Sequence, residues 1–188
     1  MAIGKLILTP TASSNPPTPG QLLDTLISLA FIEAAPLPAR PSIYLAGERF
    51  LQLITFLGCS PYVRLTPETD DDEQFTHMRL AGPLPDNIFR TGRNTLTPRC
   101  PKCREKLTDW HADLTQWRQN SEHTIDCPAC NTQTSPLALN WRSQAGAGQL
   151  FIEVWGIFPG EAVPTNELLS PLTALGCDWD YFYIQEEA

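Results

Sequence analysis

The sequence is poor in several features that would point to a particular class of protein. Only 18% of its 188 residues are charged, and it contains two methionines and three histidines. It has no apolar run of about 18 residues, the length that a membrane-spanning helix needs. The first residues, MAIGKLILTPTASSNPP, contain an apolar patch too short for a secretory signal. We therefore expect no membrane span and a location in the cytoplasm.

The sequence also lacks the short motifs that mark common enzyme sites. It contains no glycine-rich phosphate loop after a strand and no Gly-x-Ser-x-Gly nucleophile motif. The histidines, His77, His111 and His123, have no partner evident in the sequence. The acidic run at 68–73 lacks the alternating ligands and glycine of a calcium loop, so we interpret it as a solvated connection. We expect a non-catalytic protein.

The elements that the sequence does contain are typical of a mixed α and β domain. Apolar and β-branched runs predict strands at 5–10, 42–48, 61–67, 75–83, 149–158 and 179–184, and helical periodicity predicts helices at 21–35, 49–58 and 165–176. Eighteen prolines interrupt these elements. The length suits one compact domain that carries a small insertion. The predicted fold is α+β, a sheet with helices packed on it.

Two segments of the sequence match one another in pattern. Residues 44–65 and 157–184 both contain a strand, Gly-Glu, an amphipathic helix, Leu-Gly-Cys and an aromatic-rich strand. A duplicated strand–helix–strand unit and a coincidence between two ordinary units would both produce this pattern. The matched Cys59 and Cys177 each follow a glycine that is expected to end a helix. The negative end of the helix dipole disfavours a thiolate, so we expect both to be buried, inert thiols.

Four of the six cysteines form two Cys-x-x-Cys pairs, Cys100 with Cys103 and Cys127 with Cys130. Two thiolates on one tight turn suit two corners of a tetrahedron, and two such turns complete a closed four-sulfur site. Cytoplasmic thiols stay reduced, which favours a metal over disulfides. The pattern predicts a structural Zn²⁺ site, and iron is the alternative that the same sulfurs would accept.

These cysteine pairs, each with an internal proline and 23 residues apart, resemble the zinc ribbon over about residues 98–132. The resemblance covers only this part of the chain and implies a small metal-held module. We therefore divide the chain into a first part of the body at 1–88, an insertion at 89–142 and a second part of the body at 143–188. His111 and His123 lie between the pairs, and with four cysteines present we expect neither to be a direct ligand.

The charges are distributed unevenly between the insertion and the body. Eight basic and five acidic side chains lie between Phe89 and Arg142, whereas the rest of the chain has five basic and 16 acidic ones. The insertion is therefore a basic island on an acidic body. Within it, apolar spacing predicts a short helix, capped by Thr108 or Asp109, with Trp110 and Trp117 on one face.

Two functions are compatible with this pattern. In the first, the protein is a non-catalytic adaptor whose insertion presents a binding surface to a protein partner. In the second, the insertion contacts nucleic acid through its bases and tryptophans. We favour the first, because the acidic body would repel phosphate. The tryptophans are either exposed for a partner or packed between insertion and body. The candidate partner-binding residues are Arg90, Arg93, Arg99, Lys102, Arg104, Lys106, Trp110 and Trp117.

Overall fold

The computed structural model describes residues 2–11, 15–58 and 63–187. Its helices are α1 (Pro19–Ser28), α2 (Phe50–Leu53), α3 (Trp110–Gln119) and α4 (Asn166–Thr173), with a 3₁₀ turn at Pro136–Ala138. Its strands are β1 (Ala2–Pro10), β2 (Ile54–Phe56), β3 (His77–Ala81), β4 (Ile88–Thr91), β5 (Ile125–Asp126), β6 (Gln133–Thr134), β7 (Ala145–Gly148), β8 (Phe151–Trp155), β9 (Ala162–Pro164) and β10 (Trp179–Glu187). None of the helices in these ranges is long and apolar enough to cross a bilayer.

A four-stranded antiparallel sheet in the order β10-β1-β8-β3 organises the body. β1 lies inside the sheet, where Ile7 is paired with Phe182 on one side and with Glu153 on the other. One face of the sheet forms the main apolar core together with α1 and α4, because their apolar positions recur at helical spacing. The prediction of an α+β fold with helices packed on a sheet is confirmed. Core residues include Leu6, Leu8, Leu22, Leu26, Ile152, Val154, Leu168 and Leu172.

Most predicted elements of the sheet are present. The strands predicted at 5–10, 75–83, 149–158 and 179–184 are β1, β3, β8 and β10. The helix predicted at 165–176 is α4, which begins after Thr165, whose hydroxyl accepts the N–H of Leu168. The strand predicted at 42–48 is reduced to single bridges, one of them between Tyr44 and Met78. The strand predicted at 61–67 is wrong for its described part, 63–67, which is irregular, and its first two residues lie outside the described ranges.

Two predicted helices are longer than those observed. α1 ends well short of residue 35, because the chain turns at Ala30 (φ 53°) and buries Phe31 in the main core. The helix predicted at 49–58 ends with α2, and the next three residues form β2, paired with β9. β2 consists of β-branched and aromatic side chains, which favour a pleated surface. Strand pairing outweighs helical periodicity here.

The two segments matched in sequence are built differently. In the first, the four-residue α2 leads into the three-residue β2, outside the main sheet. In the second, the eight-residue α4 leads into the nine-residue β10 at the edge of that sheet. Gly176 has the left-handed conformation (φ 97°) expected after a helix, whereas Gly58 does not. Cys59 lies outside the described residues, and Cys177 is buried, which raises the pKa of its thiol, as expected for an inert cysteine.

The second face of the sheet carries a stack of aromatic and charged side chains. The ring of His77 stacks on that of Trp155, with ring centres 5.2 Å apart. Nζ of Lys5 and Cζ of Arg79 lie 3.8 and 3.9 Å from the centre of the same indole. Nδ1 of His77 lies 2.9 Å from the carbonyl oxygen of Phe75, and Nε2 accepts from Nε of Arg79 at 3.1 Å. Since arginine only donates, His77 is neutral and carries its proton on Nδ1.

This environment of His77 predicts a loss of stability in acid. Burial lowers the pKa of His77 to about 4, from 6.5. Between these values the unfolded chain binds a proton that the folded protein does not, so stability falls as the pH is lowered from about 6.5 to about 4. We expect the free energy of urea unfolding to fall by up to about 3 kcal/mol over this range, and less in the His77→Gln variant. Parallel pH profiles of the two proteins would contradict this prediction.

A second, smaller folded unit lies between β3 and β8. β4 pairs with β7 and so brings the two ends of the insertion together. β7 lies beyond residue 142, the predicted end of the insertion. The apolar core of this unit draws its residues from Phe89 to Ala147 and is separate from the main core.

Candidate metal centre

The four cysteines predicted as ligands meet in space. Their sulfur atoms all lie within 4.8 Å of one another. Sγ of Cys100 is 3.8 Å from Sγ of Cys130, and Sγ of Cys103 is 3.5 Å from Sγ of Cys127. A tetrahedron with metal–sulfur bonds of about 2.3 Å has edges of about 3.8 Å. The predicted clustering is confirmed, and the donor set fits a tetrahedral metal ion.

Both cysteine pairs lie on turns with the same backbone hydrogen bonds. In the first turn, the N–H of Cys100 donates to the carbonyl of Glu105 (2.9 Å), and the N–H of Arg104 donates to the carbonyl of Cys100 (3.0 Å). In the second turn, which starts at Cys127, the corresponding bonds are 3.0 and 2.8 Å long. The residue after each pair, Arg104 or Asn131, has a positive φ of 65° or 54°. Asparagine tolerates this left-handed conformation better than arginine does.

Hydrogen bonds within these turns favour the thiolate forms of Cys100 and Cys130, whereas burial and the neighbouring thiols raise the pKa of Cys103 to about 12. The backbone N–H of Cys103 points at the sulfur of Cys100 and lowers the pKa of that thiol. The hydroxyl of Thr132 lies 3.2 Å from the sulfur of Cys130 and lowers the pKa of Cys130 to about 6. Metals bind thiolates rather than thiols, so both bonds assist metal binding. Nothing in the cysteine spacing pointed to Thr132, whose role becomes visible only in the folded turn.

The helix predicted between the cysteine pairs is α3, and its apolar face is covered by the insertion itself. The ring of Trp117 meets Phe89 edge-on at 5.8 Å, and the ring of Trp110 meets Trp141 edge-on at 5.4 Å. Trp110 and Trp117 are only 6% and 3% exposed. The hypothesis of an exposed aromatic surface is therefore wrong, and the core that contains both side chains extends past residue 142 to Ala145. A module this small needs its large apolar residues for its own core.

The two histidines of the insertion lie apart from the sulfur cluster. Within the described residues, the group that could hold a metal consists of the four cysteines alone. Nε2 of His123 is 3.2 Å from Oδ1 of Asp113, and the ring of His111 stacks on Trp110. The expectation that neither is a direct ligand agrees with these positions.

Three of the candidate partner-binding arginines are engaged within the protein. Arg90 forms a largely buried ion pair with Glu153 of the body, so its charge is already paired within the protein. A base count could not reveal this pair, because its members are 63 positions apart. Arg93 pairs with Glu187 at 2.9 Å on the surface. Nη1 of Arg99 donates to the carbonyl of Arg104 at 2.9 Å.

The remaining three bases lie on the turn of the first cysteine pair. Lys102, Arg104 and Lys106, which we call the basic knuckle, are all exposed. None of them forms an ion pair with any residue that the structure describes. The corresponding turn after Cys127 carries no base between residues 127 and 134. The two turns are alike in backbone and different in charge.

No protein-family model, curated protein or solved structure matches this chain.

Proposed function

We propose that Zn²⁺ occupies the four-cysteine site, that the insertion is a zinc ribbon and that the metal is structural. The support is the donor set, because four sulfurs at tetrahedral spacing fill the coordination sphere and leave no position for water or substrate. Iron is compatible with the same sulfurs. Elemental analysis of the purified protein distinguishes the two metals.

On this basis the protein is a non-catalytic adaptor, and its insertion presents a binding surface. A closed four-sulfur site has no open position at which a substrate could react. We assign the protein to the cytoplasm, because the five described cysteines are free of disulfides and four of them would need to stay reduced to bind metal.

The basic knuckle is the observation that carries this proposal. Its three cations lie within five residues on a turn whose shape the metal would hold, and no described acid pairs with them. Unpaired surface cations retain their field for an approaching partner. The left-handed conformation costs Arg104 about 1–2 kcal/mol relative to glycine, so the backbone does not explain an arginine there. We propose that the partner is a protein with an acidic surface.

Nucleic acid is the second candidate, and the same three cations favour it. One observation places it behind a protein partner. Trp110 and Trp117 are buried, which removes the stacking surface that bases would use.

Neutralising the basic knuckle tests the proposal. We expect the triple variant Lys102→Gln, Arg104→Gln and Lys106→Gln to bind a fluorescein-labelled glutamate-rich peptide about tenfold more weakly than the original protein, since each exposed charge pair contributes up to about 1 kcal/mol. Fluorescence anisotropy at low salt measures the affinity, with labelled single-stranded RNA and duplex DNA as parallel probes. Zinc content and melting temperature should be unchanged.

The matched control removes three other bases that are fully or partly exposed, by Arg49→Gln, Arg93→Gln and Arg118→Gln, and so changes the net charge equally. An equal loss of peptide affinity in both variants would show that the net charge, and not the basic knuckle, determines peptide binding. It would reject the basic knuckle as a binding surface. Tighter binding of RNA or DNA than of peptide, with a linear fall on a log–log salt plot, would replace the protein partner with nucleic acid. Absence of binding to all three probes would reject the basic knuckle as a binding surface.

A further inference from the structure

The outer edge of β10 is covered by the insertion. β10 is an edge strand of the main sheet, so β1 hydrogen-bonds only the backbone N–H and C=O groups on the inner side of β10. An open edge presents N–H and C=O groups that can pair with another chain. Here, however, the outward-facing backbone groups of Tyr183 and Gln185 all have partners in the insertion or in Ser143, which directly follows it.

Four hydrogen bonds make this cover. The side-chain amide of Asn94 acts as a strand would, because its Nδ2 donates to the carbonyl of Tyr183 (2.9 Å) and its Oδ1 accepts the N–H of Gln185 (2.7 Å). The N–H of Tyr183 donates to the carbonyl of Ser143 (2.8 Å), and the N–H of Arg93 donates to the carbonyl of Gln185 (2.9 Å).

The cover fits the edge closely. A Cβ atom on Gly92 would lie 2.7 Å from both the backbone N and the backbone O of Gln185, so only glycine allows the chain to approach this near. Tyr181 is the outward-facing residue of β10 that precedes Tyr183. Its N–H donates to the side-chain carboxylate of the adjacent residue, Asp180. The apolar and aromatic part of the edge is therefore closed to a new strand.

The cover is joined to the metal site by two short segments, 93–99 and 140–144, which we call the connector. Arg99, next to the ligand Cys100, exchanges both backbone hydrogen bonds with Asn140, at 3.1 and 3.0 Å. Nη2 of Arg142 then donates to the carbonyl of Thr97 (3.0 Å). A third link is the hydroxyl of Thr95, which donates to the carbonyl of Gln144 at 2.8 Å.

The connector also holds a strained turn. Arg142 and Ser143 both have φ of 54°, a conformation that neither residue favours. The side chain of Asn140 accepts the N–H of Arg142 at 3.0 Å and so fixes this turn. The carbonyl of Ser143 accepts the N–H of Tyr183, so this turn positions one of the four hydrogen bonds to β10.

We propose that the connector is a metal-held cover, and that loss of the metal uncovers the edge of β10, which then pairs with β10 of a second copy of this chain. This inference rests on the proposed metal. A second copy fits because the same loss frees the same edge in both chains, and an antiparallel pair of identical strands is self-complementary about a two-fold axis. Centred on Ile184, such a pair places Tyr183 of each copy opposite Gln185 of the other. The outward-facing groups then meet one another.

Hydrogen exchange tests the uncovering step directly. After chelation of the metal, at a protein concentration low enough to keep the chain monomeric, we expect the amide protons of Tyr183 and Gln185 to exchange about tenfold faster or more, since each loses a hydrogen bond. The amides of Phe182 and Ile184 face β1 and serve as internal controls that stay protected. In the Asn94→Ala variant the edge should exchange faster while the metal remains bound. Unchanged exchange at Tyr183 and Gln185 after chelation would overturn the proposal.

Sedimentation equilibrium tests the pairing step. The mass of the chelated protein should be double that of the metal-loaded protein. The Gln185→Pro variant removes an outward N–H that β1 does not use, and its mass should stay unchanged on chelation. Doubling that persists in this variant, or no doubling in the original protein, would overturn pairing through β10. A purified protein without zinc or iron would reject the proposed metal, and Asn94→Ala alone would then decide whether the connector covers the edge.

Discussion

Replacing Cys127 with serine is expected to abolish metal binding and unfold the insertion while the four-stranded sheet stays folded. Cys127 is 1% exposed and belongs to the core of the insertion, so its loss removes both a ligand and packing. Structural zinc contributes about 10–16 kcal/mol of apparent folding free energy to small modules. The described residues of the main core include none between 89 and 142, so we expect its strands to stay paired without the metal. Circular dichroism and the melting curve measure the outcome, which should be partial loss of signal with the body transition retained.

Cys177→Ser is the matched control for this experiment. Cys177 is also buried, but it lies outside the sulfur cluster, so this variant should keep its metal and both parts of the fold. Complete unfolding of the Cys127→Ser variant in a single transition would contradict the independence of body and insertion. The main sheet would then depend on the metal through β4, β7 or the connector.

Replacing Arg90 with methionine is expected to destabilise the protein by about 3–5 kcal/mol. Arg90 of β4 donates to Oε1 of Glu153 on β8, and the carboxylate also accepts from Nε1 of Trp155 at 3.0 Å. Glu153 is only 6% exposed, so without Arg90 its charge would remain buried with one weak donor. Methionine keeps the apolar part of the side chain, but it removes the guanidinium carbon, which lies 4.3 Å from the centre of the Phe151 ring, so this cation–π contact is lost together with the ion pair. The urea midpoint and slope measure the loss.

Arg93→Met provides the comparison for this prediction. Arg93 pairs with Glu187 where both side chains are more than half exposed, so its removal should cost less than about 1 kcal/mol. Equal destabilisation by the two substitutions would show that the Arg90 pair has no special role. Both variants should retain the full metal content, which separates the loss of this link from loss of the metal site.

The main sheet and the sulfur cluster could be predicted because their signals are local. β1, β8 and β10 are marked by apolar and aromatic runs, and the metal site by cysteine spacing on two tight turns. The boundary between α2 and β2 could not be found in the same way. Ile54 and its neighbours fit a helical pattern, and only the presence of β9 makes them a strand.

The fate of the candidate binding residues depended on distant partners. Apolar spacing predicted the shared face of Trp110 and Trp117, but Phe89 and Trp141, which cover it, lie at the two ends of the insertion. Arg90 was counted as a surface base because Glu153 belongs to another strand. The role of Asn94 could not be predicted from the sequence, since a single polar residue in a loop forms no pattern. Its hydrogen bonds become visible only where it lies against the edge of β10.

The positions of the tryptophans allow intrinsic fluorescence to report on the insertion and on the body. Three of the five, Trp110, Trp117 and Trp141, belong to the core around the sulfur cluster, and Trp155 and Trp179 belong to the body. Intrinsic emission is therefore weighted toward the insertion, and a red shift on metal removal reports the loosening of that core alone. The emission that remains unshifted comes from indoles in the body. One spectrum thus follows both parts of the protein without an attached label.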